Sequence, residues 1–180
     1  MSTLFRGRYT AHIDGPFVVF IIGFRINKLW AVHKWLPVAK AMGPMQAELQ
    51  EHKELGLLHS ESYLYWPGAA FVQYWRSFEQ LESFARNPSL THLEAWRRFN
   101  RAVGADGSVG IWHETYSVQA GQYECVYGNM PKMGLALAGQ HLPAVGAKET
   151  AKRRMGLTGE PAVEAYETPP ISSQHGTTDR

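Results

Sequence analysis

Apolar residues fall at odd and even positions alike from Phe17 to Ile26, a pattern that predicts a strand covered on both faces. Asn27 closes it. From about Leu29 to His52 the residues Trp30, His33, Pro37, Val38, Ala41, Met42, Met45 and Leu49 recur at helical spacing, which predicts a long helix. Pro37 and Gly43-Pro44 lie inside it and predict a kink or a split into two. Leu57 to Trp66 and Ala69 to Trp75 read as two strands joined by a Pro67-Gly68 turn. Ser77 is a helix N-cap, followed by acceptors at Glu79, Gln80 and Glu82. The apolar face of that helix runs through Phe78, Leu81 and Phe84 and stops near Asn87-Pro88. Ser89 caps a second segment through Leu93, Trp96, Phe99 and Val103. Gly104 to Gly107 form a loop, and the next strand carries His113.

The order is β-α-β-β-α-β, which predicts an α+β fold of ferredoxin-like type with a four-stranded antiparallel sheet. Both helices fall on one face of that sheet. The other face is left bare, and a second copy of the chain is the simplest cover, so a homodimer closing into an α+β barrel is expected. Residues 1–157 read as one domain. From Thr158 onward Gly, Pro, Ser, Thr and Glu replace the apolar periodicity, so 158–180 is expected to be a disordered tail.

Composition narrows the function classes. A net charge of +2 over 180 residues offers no electrostatic footprint for nucleic acid. Six tryptophans in a small domain suit an apolar pocket for a small hydrophobic substrate, or an oligomer interface. Cys125 is the single cysteine, which excludes an intramolecular disulfide and a cysteine metal cage. The start of the chain lacks a signal-peptide core, and the run from Phe17 to Ile26 is far short of the roughly 20 residues of a membrane span. A soluble cytoplasmic protein without a membrane partner is the expectation.

The densest candidate chemistry lies between Ile111 and Pro131. Ile111-Trp112-His113-Glu114-Thr115-Tyr116 reads as a strand. A turn around Gly121 follows, then a second aromatic strand ending in the corner Tyr127-Gly128-Asn129-Met130-Pro131. Alternation places His113 on one face with Val109 and Ile111, and Trp112, Glu114 and Tyr116 on the other. An imidazole on an apolar face suits an axial metal ligand or a proton-transfer group. The same residue also reads as a core-edge histidine satisfied by a carbonyl. His92 lies four residues before Trp96 on one helix face; it reads as a histidine packed on that ring or as a pocket acid–base group. His33, between Trp30 and Trp35, reads as core. Arg97, Arg98 and Arg101 read as a solvated helix face or as partners for carboxylates. His113 and Glu114 diverge as neighbours on a strand, so no nonhaem metal site is expected, and no phosphate-binding glycine loop is present.

The strip Tyr74-Trp75-Arg76-Ser77-Phe78-Glu79-Gln80-Leu81-Glu82-Ser83-Phe84, leading on to His92, resembles the antibiotic-biosynthesis-type monooxygenases of the dimeric α+β-barrel superfamily. More closely, four segments together resemble a family once labelled a domain of unknown function and similar to a fungal polyketide-tailoring monooxygenase of the fumagillin pathway. These are Gly7-Arg8-Tyr9-Thr10-Ala11, Leu29 to Trp35, Val72 to Ser77 and the block from His113 to Pro131. The match spans roughly residues 5–155.

The end of the chain also resembles the haem-containing aldoxime dehydratases: a helix with tryptophan, a loop, a His-Glu strand, an aromatic strand and a corner. That likeness implies haem b held by His113 on the proximal side. The distal position falls near Met130 instead of a histidine, so the likeness does not carry the acid–base dehydration route with it. It implies an enzyme of oxidative or N–O bond chemistry, with Met130 and Asn129 shaping the distal pocket and Arg97 available to haem propionates. The monooxygenase likeness implies an alternative without a cofactor, in which His92, His113 or Tyr127 acts as base toward an enolisable substrate. A non-catalytic haem or ligand carrier is the third possibility. Haem-degrading relatives use an Asn-Trp-His set; here His92 lies near the histidine position, but Phe84 fills that of the tryptophan. His59, also on a strand, is the rival of His113 for a haem iron.

Overall fold

The computed structural model describes residues 3–87, 97, 99–101 and 103–157. Among these residues seven strands are seen: β1 (Phe5–His12), β2 (Phe17–Ile26), β3 (Leu57–Tyr65), β4 (Gly68–Trp75), β5 (Val109–Val118), β6 (Tyr127–Met130) and β7 (Gln140–Pro143). The helices are α1 (Val32–Glu51), α2 (Phe78–Arg86), α3 (Leu135–Ala138) and α4 (Ala151–Arg154). Strands β3-β4-β2-β5 make an antiparallel sheet with β2 at its interior, which explains why Phe17 to Ile26 is apolar at every position but Gly23 and Arg25. This is the expected ferredoxin-like sheet. Ser77 caps α2 by accepting from the Gln80 N–H at 3.2 Å, and Asn87 ends it. Of the second helical segment, Arg97 and Phe99 to Arg101 are helical, while His92 lies outside the described residues, as does the tail from residue 158.

α1 departs from expectation. It is one uninterrupted helix in spite of Pro37 and Pro44. The carbonyls that lose their donors belong to His33 and Lys40, four residues earlier. Both residues are exposed, which leaves the freed carbonyls within reach of solvent.

A larger departure concerns the sheet face opposite the helices. A second antiparallel sheet, ordered β6-β1-β7, comes from the same chain and covers one end of that face. Ala11, Ile13, Phe17, Leu135 and Ala136 form its buried core, with Val19, Leu58, Tyr74, Val118 and Tyr127 packed around them. The aromatic strand at Tyr127 therefore does not pair with the His113 strand; it pairs with β1, Tyr9 facing Tyr127. The physical cause is the long link from Gln119 to Val126, which lets Tyr123 and Cys125 pack on this core. The Tyr123 hydroxyl oxygen accepts the Ile13 N–H at 2.7 Å.

The helix face holds two further clusters. Val18, Leu49, Trp75, Leu81 and Phe84 form one. Phe24, Ile26, Val103 and Val109 form the other, against Trp35, Val38 and Phe99.

Candidate functional site

Cross-strand pairing settles which face each candidate occupies. His113 lies opposite Ile22 on β2, and its ring centroid is 5.7 Å from that of Phe20. Phe20 packs with Val18 and Trp75 beneath the helices, so His113 belongs to the helix side, as its alternation predicts. It is exposed and sits on an edge strand. Of the other described histidines, His12 and His52 pair with Asp14 and Glu54, and His141 is stacked on Tyr9 and edged by Phe5.

On the same side, α1 and the β3–β4 hairpin enclose a cleft of about 540 Å³. Phe24, Trp35, Ala39, Leu64 and Phe71 line it, Trp66 borders it, and among the described residues no charged side chain contributes. Trp35 is fixed by its indole N–H, which donates to the Leu29 carbonyl at 3.0 Å. Such an opening, uncharged and largely aromatic, suits a small apolar molecule. The sequence signals for it, Trp35 and the alternating hairpin, were visible but pointed only to a core.

The corner residues occupy the other side of the sheet. Asn129 has a left-handed backbone, φ 53°, which asparagine tolerates. Its side-chain carbonyl accepts the Gly7 N–H at 2.9 Å, where β1 loses register between Phe5 and Arg8. Tyr127 accepts the Ala136 N–H at 3.2 Å at the start of α3; burial, followed by the neighbouring Cys125 thiol, raises its pKa. Met130 faces Phe5 across the small sheet. Asn129 and Tyr127 thus tie the second sheet together. Within one chain the four-stranded sheet separates Tyr127, Asn129 and Met130 from His113. Arg97 is exposed, and His92 lies outside the described residues.

A group that sequence reasoning missed joins the two sheets. Glu61 accepts from the Gly134 N–H at 2.7 Å and the Tyr63 hydroxyl at 3.1 Å. A side chain at Gly134 would come within 3.2 Å of the Tyr74 hydroxyl. Burial, then Tyr63 and Glu61, pushes Tyr74 up to about 12. Both phenols here stay protonated at neutral pH. His59 lies nearby, opposite Tyr74; its Nε2 is buried without a partner, and burial lowers its pKa.

The rest of that face is open and aromatic. Trp112 reaches from edge strand β5 across Gly23 and donates to the Tyr65 hydroxyl of the opposite edge at 3.1 Å. Tyr65 in turn donates to the Phe24 carbonyl at 2.7 Å. Gly23 is what permits this, because a Cβ there would stand 2.9 Å from both the indole nitrogen and the Ala69 carbonyl. Among the described residues no cluster of three or more His, Cys, Asp or Glu is placed to hold a metal ion.

The sheet order β3-β4-β2-β5, with both helices on one face, defines an α+β protein of the ferredoxin-like type. The chain belongs to the monooxygenase af470-like family, whose pattern matches residues 17–135. It is 30% identical over 152 residues to Monooxygenase af470 of Aspergillus fumigatus, an alignment covering 72% of this chain and 53% of that protein. The chain thus spans about half the length of the curated relative it matches. Among solved structures, aldoxime dehydratase overlays with a TM-score of 0.59 at 18% identity, over 74% of this chain and 41% of that one. That likeness shows the fold alone. SnoaB, a cofactor-independent oxygenase from Streptomyces nogalater, overlays at 0.41 and 9% identity, over 57% and 93% of the two chains.

Proposed function

We propose that this protein is a monooxygenase-type enzyme that takes a small, uncharged, apolar molecule on the helix side of its four-stranded sheet. The observation that carries this is the coincidence, on one face, of an uncharged aromatic cleft and an exposed imidazole on an edge strand. Membership of the monooxygenase af470-like family supports the reaction class.

His113 fits the role of haem donor. It is a nitrogen ligand flanked by Phe20 and by Ile22, apolar surface of the kind a macrocycle covers. Met130 does not fit the distal role within one chain, because it stands beyond the sheet. Haem b, when bound, would supply oxygen activation or N–O bond chemistry; the chain's own part is to present the imidazole beside the apolar surface of Phe20 and Ile22. Hemin titration of the wild type and of His113→Ala and His59→Ala tests the assignment. Loss of the haem band in the His113 variant alone supports it, and loss in the His59 variant alone moves the site across the sheet. No binding by the wild type removes haem. The enzyme is then a cofactor-free oxygenase in which His113 is the base, and His113→Ala should lower turnover without changing the fold.

The open aromatic face supports a homodimer as part of this reading. Trp112, Tyr116 and Tyr63 are all exposed there, and a second copy would cover them, burying on the order of 2,000 Å² in a stable pair. Trp112→Glu should give a folded monomer in light scattering. A wild-type monomer at micromolar concentration would refute the pairing.

A further inference from the structure

The cleft under α1 leads toward a polar group that its apolar lining does not explain. Trp35, Ala39 and Gly43 recur every four residues on the α1 face that lines it. Gln46 is next on that face, and Leu49 after it belongs to the sealed cluster around Trp75. The sheet beneath shows the same order. Ser62 and Phe71 pair across β3 and β4 and line the cleft; the next pair on that face is Ser60 with Gln73, and then comes Leu57 with Trp75. Helix and sheet therefore run in step, from the apolar cleft through Gln46, Ser60 and Gln73 to a hydrophobic plug. Ser60 is 8% exposed and Gln73 5%.

The hydrogen bonds fix what this end offers. The Trp75 indole N–H can only donate, and it donates to Gln73 Oε1 at 3.0 Å. Gln73 then presents its Nε2 to Gln46, whose Oε1 accepts at 3.4 Å. That leaves the Gln46 Nε2 amide group free. It and the Ser60 hydroxyl are buried, and among the described residues neither has a partner. Unpaired buried polar atoms cost folding free energy, and two of them in line with a cleft point to a ligand. Both are hydrogen-bond donors, so the group that fits them is an acceptor oxygen. Ser60, Gln46, Gln73 and Trp75 are all neutral, so a carboxylate or phosphate held here would be buried without a counter-charge.

From this we propose that Ser60 and Gln46 bind the carbonyl oxygen of a neutral ligand whose apolar body fills the cleft. The proposal rests on the reading of the cleft as the substrate site, and it narrows the substrate to an aldehyde, ketone or ester on an apolar skeleton. Gln73 is a positioning residue: clamped by Trp75, it turns the Gln46 amide so that its N–H groups stay free for the ligand.

The test uses two probes of one shape, 2-acetylnaphthalene and 2-ethylnaphthalene, which differ by a carbonyl in place of a methylene. Equilibrium dialysis against the full chain measures affinity, and infrared difference spectra measure the carbonyl stretch of the bound ketone. On the wild type that band should lie below its position in hexane, the mark of an accepted hydrogen bond. Ser60→Ala and Gln46→Leu should each weaken ketone binding roughly tenfold, leave the ethyl compound's binding unchanged, and return the band toward its hexane position. Two separate sites guard against one variant that misfolds. An unshifted band on the wild type overturns the proposal, as does an affinity and band shift that survive in both folded variants. If Ser60→Ala loses stability and keeps the ketone's affinity, a resident water fills this end and the proposal also fails. A wild type that binds neither probe overturns the cleft reading itself, whereas binding of both probes without effect of the substitutions leaves the cleft and removes only its polar end.

Discussion

The two faces of the four-stranded sheet are made from the same strands by strict alternation, yet they end in different states. On the helix face Trp75 is completely buried, with its indole N–H given to Gln73 at 3.0 Å. On the far face Trp112 keeps 37% of its surface exposed and gives its N–H to Tyr65. Both tryptophans are satisfied, and one is closed in while the other lies as a lid over Gly23. Helices following their strands directly in sequence cover the first face. Among the described residues the second face receives β1, β6, β7 and α3, at one end. Closure by neighbours in sequence is complete over Trp75, whereas closure by distant segments leaves an aromatic surface for something else.

That contrast predicts unequal responses to substitution. Trp75→Ala should cost about 3–5 kcal/mol, because it opens a cavity among Val18, Leu81 and Phe84; denaturant unfolding measures it. Trp112→Ala should cost the isolated chain about 1 kcal/mol or less. Equal losses at the two positions would erase the distinction between the faces. Gly23→Ala falls between them, at about 1–3 kcal/mol, since the new methyl meets the Ala69 backbone carbonyl, which cannot give way as the indole can. A changed tryptophan emission would report displacement of Trp112.

Smaller effects sharpen the comparison. Ser77→Ala should cost about 1 kcal/mol through the lost cap on α2, and it should leave the far face untouched. Two histidines on the far side of the sheet contribute to the pH dependence between neutral and mildly acidic pH. Burial holds the pKa of His59 and His141 below the usual 6.5, with Lys132 adding to the effect at His141 and Glu61 opposing it at His59. The unfolded chain therefore takes up these protons first. This part of the stability is intact above pH 6.5 and is lost as pH falls through the lower folded values. Unfolding midpoints that stay level across that window would contradict it, and His59→Leu should flatten the decline.

Much of the helix face was legible in the chain. Phe17 to Ile26, the Pro67-Gly68 turn and the Ser77 cap stand where the pattern places them, because alternation, turn residues and caps act over a few residues. The side of His113 was legible for the same reason. The α1 prolines misled because the cost of a missing N–H depends on whether water reaches the freed carbonyl, which sequence spacing does not state.

The corner was misplaced for a different reason. Tyr127, Asn129 and Met130 look like pocket residues in a list, and their chemistry is compatible with one. The structure commits Asn129 to Gly7, 122 positions away, and Tyr127 to α3. The sequence alone thus determined the four strands of the larger sheet, the place of the first helix, the capped second helix and the face that His113 takes, since these follow from local periodicity and capping. Tertiary structure alone decided that the chain builds a second sheet, that Glu61, Tyr74 and Tyr127 meet around Gly134, and that an apolar cleft opens beneath α1. The second sheet depends on pairings between segments more than 100 residues apart, and the other two on contacts between elements well separated in the chain; their free energy is spread over many weak contacts and leaves no periodic mark on either partner.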